Sequence, residues 1–206
     1  MRTFLAIFLL VCAGCVQRPP SVPGPPPATA ASPREMDVLV SYLQNLYGKH
    51  VSQRAPLVLS ATFSLRYFDS SYASFARSLR AQASEGVPLD LIQDFCEKNR
   101  ISSRVWPEIA ARLPVRFLST AEQRALFSAL PGQNPDGWER FYARYPHSPG
   151  IVTVSRVGFN RAGDRALVYL GSSSGWLAGH GGMHLLRRKN GHWVEEPTIV
   201  GSAWES

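Results

Sequence analysis

The chain has 206 residues, of which 45% are hydrophobic and 18% charged, and its 22 Lys and Arg outnumber its 15 Asp and Glu for a net charge of +7. This ordinary apolar fraction excludes a disordered protein, a collagen-like repeat and a disulfide-stapled miniprotein. No apolar run approaches the roughly 20 residues that a membrane-spanning helix needs. The composition therefore indicates a soluble globular domain behind a short N-terminal leader.

The leader, residues 1–15, has the pattern of an export signal. Arg2 supplies the positive start, and the apolar core from Phe4 to Val11 is too short to span a bilayer. The leader ends in the sequence VCAGC, in which small residues precede Cys15. This ending resembles the lipobox of bacterial lipoproteins. The resemblance implies that Cys15 is lipidated and becomes the mature N-terminus, and a plain secretory signal cleaved nearby is the alternative.

A proline-rich spacer, residues 16–33, follows the cysteine. Six prolines precede Pro33, and the segment has no apolar periodicity, which favours an extended, solvated polyproline II conformation. At about 3.1 Å per residue it spans some 55 Å. Val16 stands where lipoproteins kept in the inner membrane have aspartate. That resemblance implies an outer-membrane anchor, with the domain facing the periplasm.

Residues 34–206 are predicted to form a single α+β domain that begins with helices. Ser32 and Glu35 form a capping box at the start of the first helix, and an apolar stripe continues to Gly48. Helical spacing also predicts that Cys96 is a buried thiol and that Asp90, Asp94 and Glu97 form a solvated carboxylate face. Further expected elements are a buried strand over 56–63, helices over 71–83, after Pro88, over 120–130 and from Asn134 to Tyr145, and a short strand over 113–118.

From Gly150 onward the apolar period changes from helical to alternating. We expect a strand over 151–159, a return strand over 165–171, a Ser/Gly loop over 172–182, and a hairpin whose turn is Asn190-Gly191. Helices followed by strands favour an α+β fold over a parallel sheet. The predicted architecture is N-terminal helices packed on a C-terminal antiparallel meander of about four strands.

The last third of the chain carries a further resemblance. Its pattern is similar to that of a family of uncharacterised exported bacterial proteins, in the segments SRVGFN from Ser155, ALVY from Ala166, GHG from Gly179 and KNGHW from Lys189. The resemblance implies a cell-envelope protein and no particular activity.

Gly171 to Gly175 match G-x-S-x-G, the nucleophile elbow of α/β-hydrolases. That elbow needs a helix after the serine, but Gly179, Gly181 and Gly182 disfavour one. A serine hydrolase using Ser173 with His180 or His184 is therefore the alternative hypothesis. A polar hairpin loop is the preferred interpretation.

His180 and His184 have the spacing of two metal ligands on a helix. On a strand, the same spacing separates them by about 13 Å, too far for one ion held at roughly 2 Å by each nitrogen. The sequence therefore predicts no metal and no cofactor. The candidate binding residues are Ser173, Trp176 and His180 in the Ser172–Gly182 loop, and His184 two residues after it.

These features predict a lipid-anchored envelope protein with a non-catalytic binding or assembly role. The expected partners are the membrane, through the lipid on Cys15, and an envelope protein or an anionic surface. Nucleic acid is not expected, since the basic residues are scattered rather than gathered with aromatic ones.

Overall fold

The structure is a computed structural model that describes residues 32–63, 72–101, 103–128 and 132–205, without the side chains of residues 84, 85, 104 and 198–203. Cys15 and nearly all of the expected spacer lie outside these ranges. The described elements are α1 (Pro33–Tyr47), β1 (Leu57–Ser60), β2 (Thr62–Phe63), α2 (Tyr72–Ala81), α3 (Leu89–Asn99), β3 (Ser103–Arg104), β4 (Val115–Leu118), α4 (Thr120–Leu126), α5 (Gly137–Arg144), β5 (Ile151–Val154), β6 (Gly158–Phe159), β7 (Arg165–Gly175), β8 (Ala178–Lys189) and β9 (His192–Glu205), with 3-10 turns at Gln82–Glu85 and Pro107–Ala111. None of the described helices is long and apolar enough to cross a membrane.

A mixed sheet in the order β4-β1-β5-β7-β8-β9 organises the domain, with β6 also paired to β7. The α+β class is confirmed. The C-terminal strands β5, β7, β8 and β9 form the expected antiparallel meander. The expected count of about four strands is wrong, because β1 joins the same sheet in parallel with both β4 and β5.

The sequence of β1 does not indicate which strands it pairs with. All four residues of β1 are buried, as is common for a parallel strand covered on both faces. Such a run has no alternation to show which strands will pair with it. The insertion of β1 between β4 and β5 therefore had no local signal.

Local capping signals set where several helices begin. Ser32 accepts a hydrogen bond from the Glu35 amide while the Glu35 carboxylate accepts one from the Ser32 amide, which confirms the capping box at α1. Ser119 and Glu122 do the same at α4. At α5 the cap is Asp136 with Glu139 rather than the expected Asn134. The aspartate carboxylate satisfies a free helix amide, so α5 starts at Gly137.

Helices cover both faces of the sheet. One face packs under α1, with buried residues that include Leu39, Leu43, Val152, Val168 and Leu186. The other face packs under α2 and α3 through Phe95 and Tyr169, and under α5 through Phe141 and Ile151. The helices therefore cover the sheet from both sides.

The expected strand over 151–159 is divided into β5 and β6 by Ser155, Arg156 and Val157. The Ser155 hydroxyl accepts a hydrogen bond from the Tyr169 amide at 2.8 Å, and the Asn99 side chain binds both the amide and the carbonyl of Arg156. These side chains take the place of ladder bonds, so the chain bends between the two strands.

Candidate functional site

The segment expected to be a Ser/Gly loop is almost entirely strand. β7 continues to Gly175, the turn consists only of Trp176 and Leu177, and β8 starts at Ala178. The loop prediction over 172–182 is therefore wrong. The many glycines of this segment suggested a loop, but they are required for a different physical reason.

The glycines leave room for two aromatic side chains that lie against the strands. A Cβ atom added at Gly171 or Gly181 would collide with the Tyr169 hydroxyl, and one at Gly181 would also collide with the Trp204 indole. The Trp204 Nε1 donates a hydrogen bond to that hydroxyl at 3.0 Å. Glycine inside a strand often marks such a close approach.

The pairing of β7 with β8 decides which predicted residues meet. Ser172 lies opposite His180, while Ser173 lies opposite Gly179. Because alternate side chains point to opposite faces of a sheet, Ser173 faces away from His180 and His184. Gly175 is followed by a two-residue turn into an antiparallel strand instead of a helix. The structure therefore brings Ser173 to neither histidine, and the G-x-S-x-G match lacks the elbow geometry.

The two histidines share one open cavity between the C-terminal half of α1 and the strands β7, β8 and β9. Its volume is about 660 Å³, within the range of small-molecule sites. The described residues that line it are Tyr42, Leu46, Tyr47, Pro149, Leu170, Ser172, Ser174, Leu177, Ala178, Gly179, His180, His184, Glu195 and Glu205. Two of the four candidate binding residues, His180 and His184, thus belong to a common concave surface.

A hydrogen-bonded cluster forms one end of the cavity. The Nδ1 atom of His184 lies 2.6 Å from Oε1 of Glu195, and the Tyr42 hydroxyl donates to Oε2 of the same carboxylate at 3.2 Å. The rings of Tyr42 and His184 also pack together, with centroids 5.4 Å apart. Since a carboxylate only accepts hydrogen bonds, we assign the proton of the neutral imidazole to Nδ1.

The tyrosines of the cavity keep their protons at physiological pH. Burial, and next the carboxylate of Glu195, raise the pKa of Tyr42 far above its ordinary value of 10.0. Burial also raises the pKa of Tyr47, partly opposed by a hydrogen bond with Ser172. Tyr42 therefore acts as a fixed donor toward Glu195.

The other end of the cavity, at the β7–β8 turn, is open to solvent and combines apolar side chains with His180 and Glu205. Leu177 at the hairpin turn is 84% exposed, and Leu46 of α1 is 41% exposed. Pro149 and Ala178 line the cavity as well. Water covers these side chains at a free-energy cost that an apolar ligand would remove.

Trp176 lies beside this cavity and is not among its described lining residues. Its indole is 38% exposed, donates to Oδ2 of Asp136 at 2.8 Å, and packs edge-on against Phe127 with centroids 5.8 Å apart. A hydrogen bond from the Glu139 amide and next that from Trp176 lower the pKa of Asp136. These contacts tie the β7–β8 turn to the start of α5.

Two carboxylates expected on a solvated helix face act as anchors instead. Asp94 accepts from the Phe159 amide and from Lys98, both at 2.7 Å, and Asp90 accepts from the Arg161 amide. They join α3 to β6 and to the turn after it, so the solvated-face interpretation is wrong for both. Cys96 is 1% exposed and its burial raises the pKa of the thiol, which confirms the buried cysteine.

Sequence reasoning missed Tyr42 and Glu195, the partners of His184. Tyr42 lies in α1 and is 3% exposed. Its position in the helical pattern is therefore that of an ordinary core residue. Glu195 reaches the cavity because it pairs with Leu186 next to an irregularity in the β8–β9 register. Only the Asn190-Gly191 turn, which sets that hairpin, was a usable signal.

No group of three or more His, Cys, Asp or Glu side chains in the described ranges is placed to hold a metal ion. Comparison of the chain with protein-family models, curated proteins and solved structures finds no match. The chemistry of the cavity is therefore the guide to what this chain binds.

Proposed function

We propose that this chain is a lipid-anchored protein of the bacterial cell envelope whose domain binds a small ligand, without catalysing a reaction, in the cavity between α1 and β7–β9. The observation that carries the proposal is the cavity itself. Its lining combines a polar cluster around Glu195 with the exposed side chains of Leu46 and Leu177. Concave surfaces that combine apolar side chains with a few polar groups are the usual ligand sites of proteins.

The position of α1 supports the combination of anchor and cavity. The helix begins at Pro33, directly after the expected spacer, and its C-terminal half contributes Tyr42, Leu46 and Tyr47 to the cavity. At 1.5 Å per residue, Pro33 and Tyr47 are roughly 20 Å apart along the helix. A chain tethered at the start of α1 would leave the cavity at the opposite end of that helix open to ligands.

The anchor is tested by metabolic labelling with a fatty-acid analogue. We expect label on the wild-type protein and none on Cys15→Ser. Cys12→Ser and Cys96→Ser are the matched controls and should keep the label, because the first cysteine leaves with the signal and the second is buried. Label that survives Cys15→Ser contradicts the anchor.

The binding cavity is tested separately by titration calorimetry with 2-phenylethanol, a neutral apolar probe. We expect binding to the wild type and at least a tenfold loss in Leu177→Asp, which replaces an exposed apolar side chain of the lining with a charge. Leu89→Asp is the matched control, since Leu89 is 57% exposed and lies outside the described lining. Equal binding by both variants contradicts a ligand site in this cavity.

The alternative, a serine hydrolase, has its own test in labelling with a fluorophosphonate probe. We expect no label on the purified protein, since Ser173 faces away from both histidines. Label that disappears in Ser173→Ala would favour the hydrolase over the binding protein.

A further inference from the structure

We propose that the cavity between α1 and β7–β9 selects an organic cation, an ammonium group carried on a small alkyl or aryl body. This inference rests on the proposed function, because it names the class of ligand that the same cavity takes. Three properties of the lining support it: the sign of its charges, the hydrogen-bonding capacity left open around Glu195, and the aromatic and apolar side chains near that residue.

The charged residues of the cavity are of one sign. Glu195 and Glu205 both line it, and none of the described lining residues is a lysine or an arginine. Glu205 pairs with His180 across β8 and β9. The chain as a whole carries seven more basic than acidic residues, so this acidic cavity is an exception on a basic protein. Opposite charge in a concave site concentrates a cationic ligand there.

The polar end offers acceptors. The Tyr42 hydroxyl proton and the His184 Nδ1 proton are both donated to Glu195. Each oxygen of that carboxylate has two lone-pair sites and accepts one of these bonds, so further acceptor capacity remains on both. A group that brings several N–H donors, such as an ammonium, complements this end, and a carboxylate or phosphate does not.

The aromatic and apolar side chains suit the remainder of such a ligand. Tyr42 and Tyr47 both line the cavity, and aromatic rings attract cations. Leu46 lies one helical turn from Tyr42, about 6 Å along α1, and both residues line the cavity. An aryl or alkyl body carried by an ammonium group at Glu195 would cover the exposed Leu46.

The experiment compares three probes of matched size by titration calorimetry on the purified protein: phenethylamine, 2-phenylethanol and 3-phenylpropanoate. We expect phenethylamine to bind at least tenfold more tightly than the alcohol, and 3-phenylpropanoate to bind most weakly. Glu195→Gln should lower the affinity for phenethylamine about tenfold and leave that for the alcohol within twofold.

Glu196→Gln is the matched control, because Glu196 is the next residue and pairs with Arg165 instead of the cavity cluster. It should bind phenethylamine as the wild type does. Equal affinities for the amine and the alcohol overturn the cation inference while the binding cavity stands. Tighter binding of 3-phenylpropanoate, or an equal loss in both variants, also overturns it. Absence of binding by all three probes overturns the inference and the proposed binding function together.

Discussion

The guanidinium of Arg156 donates two hydrogen bonds to the carboxylate of Glu35, from Nη2 to Oε2 at 3.1 Å and from Nε to Oε1 at 3.3 Å. The Glu35 side chain is 1% exposed and that of Arg156 is 15% exposed. The same carboxylate also accepts the Ser32 amide at the start of α1. One buried side chain thus caps α1 and joins it to the bend between β5 and β6.

Loss of this ion pair should be costly. Glu35→Gln leaves the Arg156 charge without its partner in a nearly dry site, and we expect the free energy of unfolding to fall by about 3 kcal/mol. Urea denaturation monitored by circular dichroism measures it.

The matched control is Asp37→Asn. Asp37 pairs with Arg112 at 2.7 Å, but the two side chains are 62% and 45% exposed. Such a pair contributes at most about 1 kcal/mol because water screens it. Equal losses in the two variants would show that burial does not govern the Glu35 contact.

Glu35 also illustrates what could be predicted from the sequence. Its role in the capping box was found because Ser32 lies three residues away, and local signals of this kind also located α4 and the Asn190-Gly191 turn. Its pairing with Arg156, 121 residues away, has no local signal. Periodicity and capping residues report on neighbours along the chain, whereas contacts between distant segments follow from how the sheet assembles.

The candidate site, too, was predictable from the sequence only in part. The histidines were found because their residue type is chemically informative, but their partners Tyr42 and Glu195 come from α1 and from β9. The order of strands in the sheet decides that these elements meet at one cavity. The glycines of β7 and β8 suggested a loop, which is wrong, because glycine also occurs in strands where an aromatic side chain approaches the backbone closely.

A methyl group at Gly158 should destabilise the contact between α3 and β6. An added Cβ would lie 2.7 Å from the backbone nitrogen and Cα of Phe95, and helix backbone cannot move aside cheaply. We expect Gly158→Ala to lower the free energy of unfolding by about 1–3 kcal/mol.

Gly175→Ala is the control for this steric effect, since its Cβ would meet the Ala178 side chain at 3.2 Å and the Ala178 nitrogen at 3.9 Å, without a clash against backbone. A loss within about 1 kcal/mol is expected there, as for ordinary surface changes. A Gly158→Ala protein as stable as the wild type would mean that α3 shifts freely against the sheet.

The domain should lose stability in alkali. Burial raises the pKa values of Tyr42, Tyr47 and Tyr169 above 10.0 and that of Cys96 above 9.0. The folded state therefore holds these protons more tightly than the unfolded chain does. Their contribution is complete below pH 9 and is lost as the pH rises through the ordinary values toward the raised ones. Thermal melting from pH 8 to pH 11 measures the loss.

Tyr42→Phe measures how much of this loss of stability in alkali comes from Tyr42. The variant lacks the ionisable hydroxyl and its bond to Glu195, so its melting temperature should be lower at pH 8 but should fall less steeply toward pH 11. A single titrating group changes stability by about 1.4 kcal/mol per pH unit. Parallel curves for the two proteins would contradict the assignment of Tyr42 as a buried, protonated donor.

Trp176 should contribute modestly to stability and not at all to the cavity. Trp176→Ala removes the hydrogen bond to Asp136 and the edge contact with Phe127, while the indole is already 38% exposed. An aromatic contact of this kind contributes about 0.5–1.5 kcal/mol, so the melting temperature should fall by roughly 2–5 °C. Trp138→Ala is the comparison, since Trp138 is 9% exposed within a cluster of four rings, and burial of that kind predicts a loss of about 3–5 kcal/mol. Affinity for phenethylamine should stay within twofold in Trp176→Ala, and a larger loss would place the indole in the ligand site.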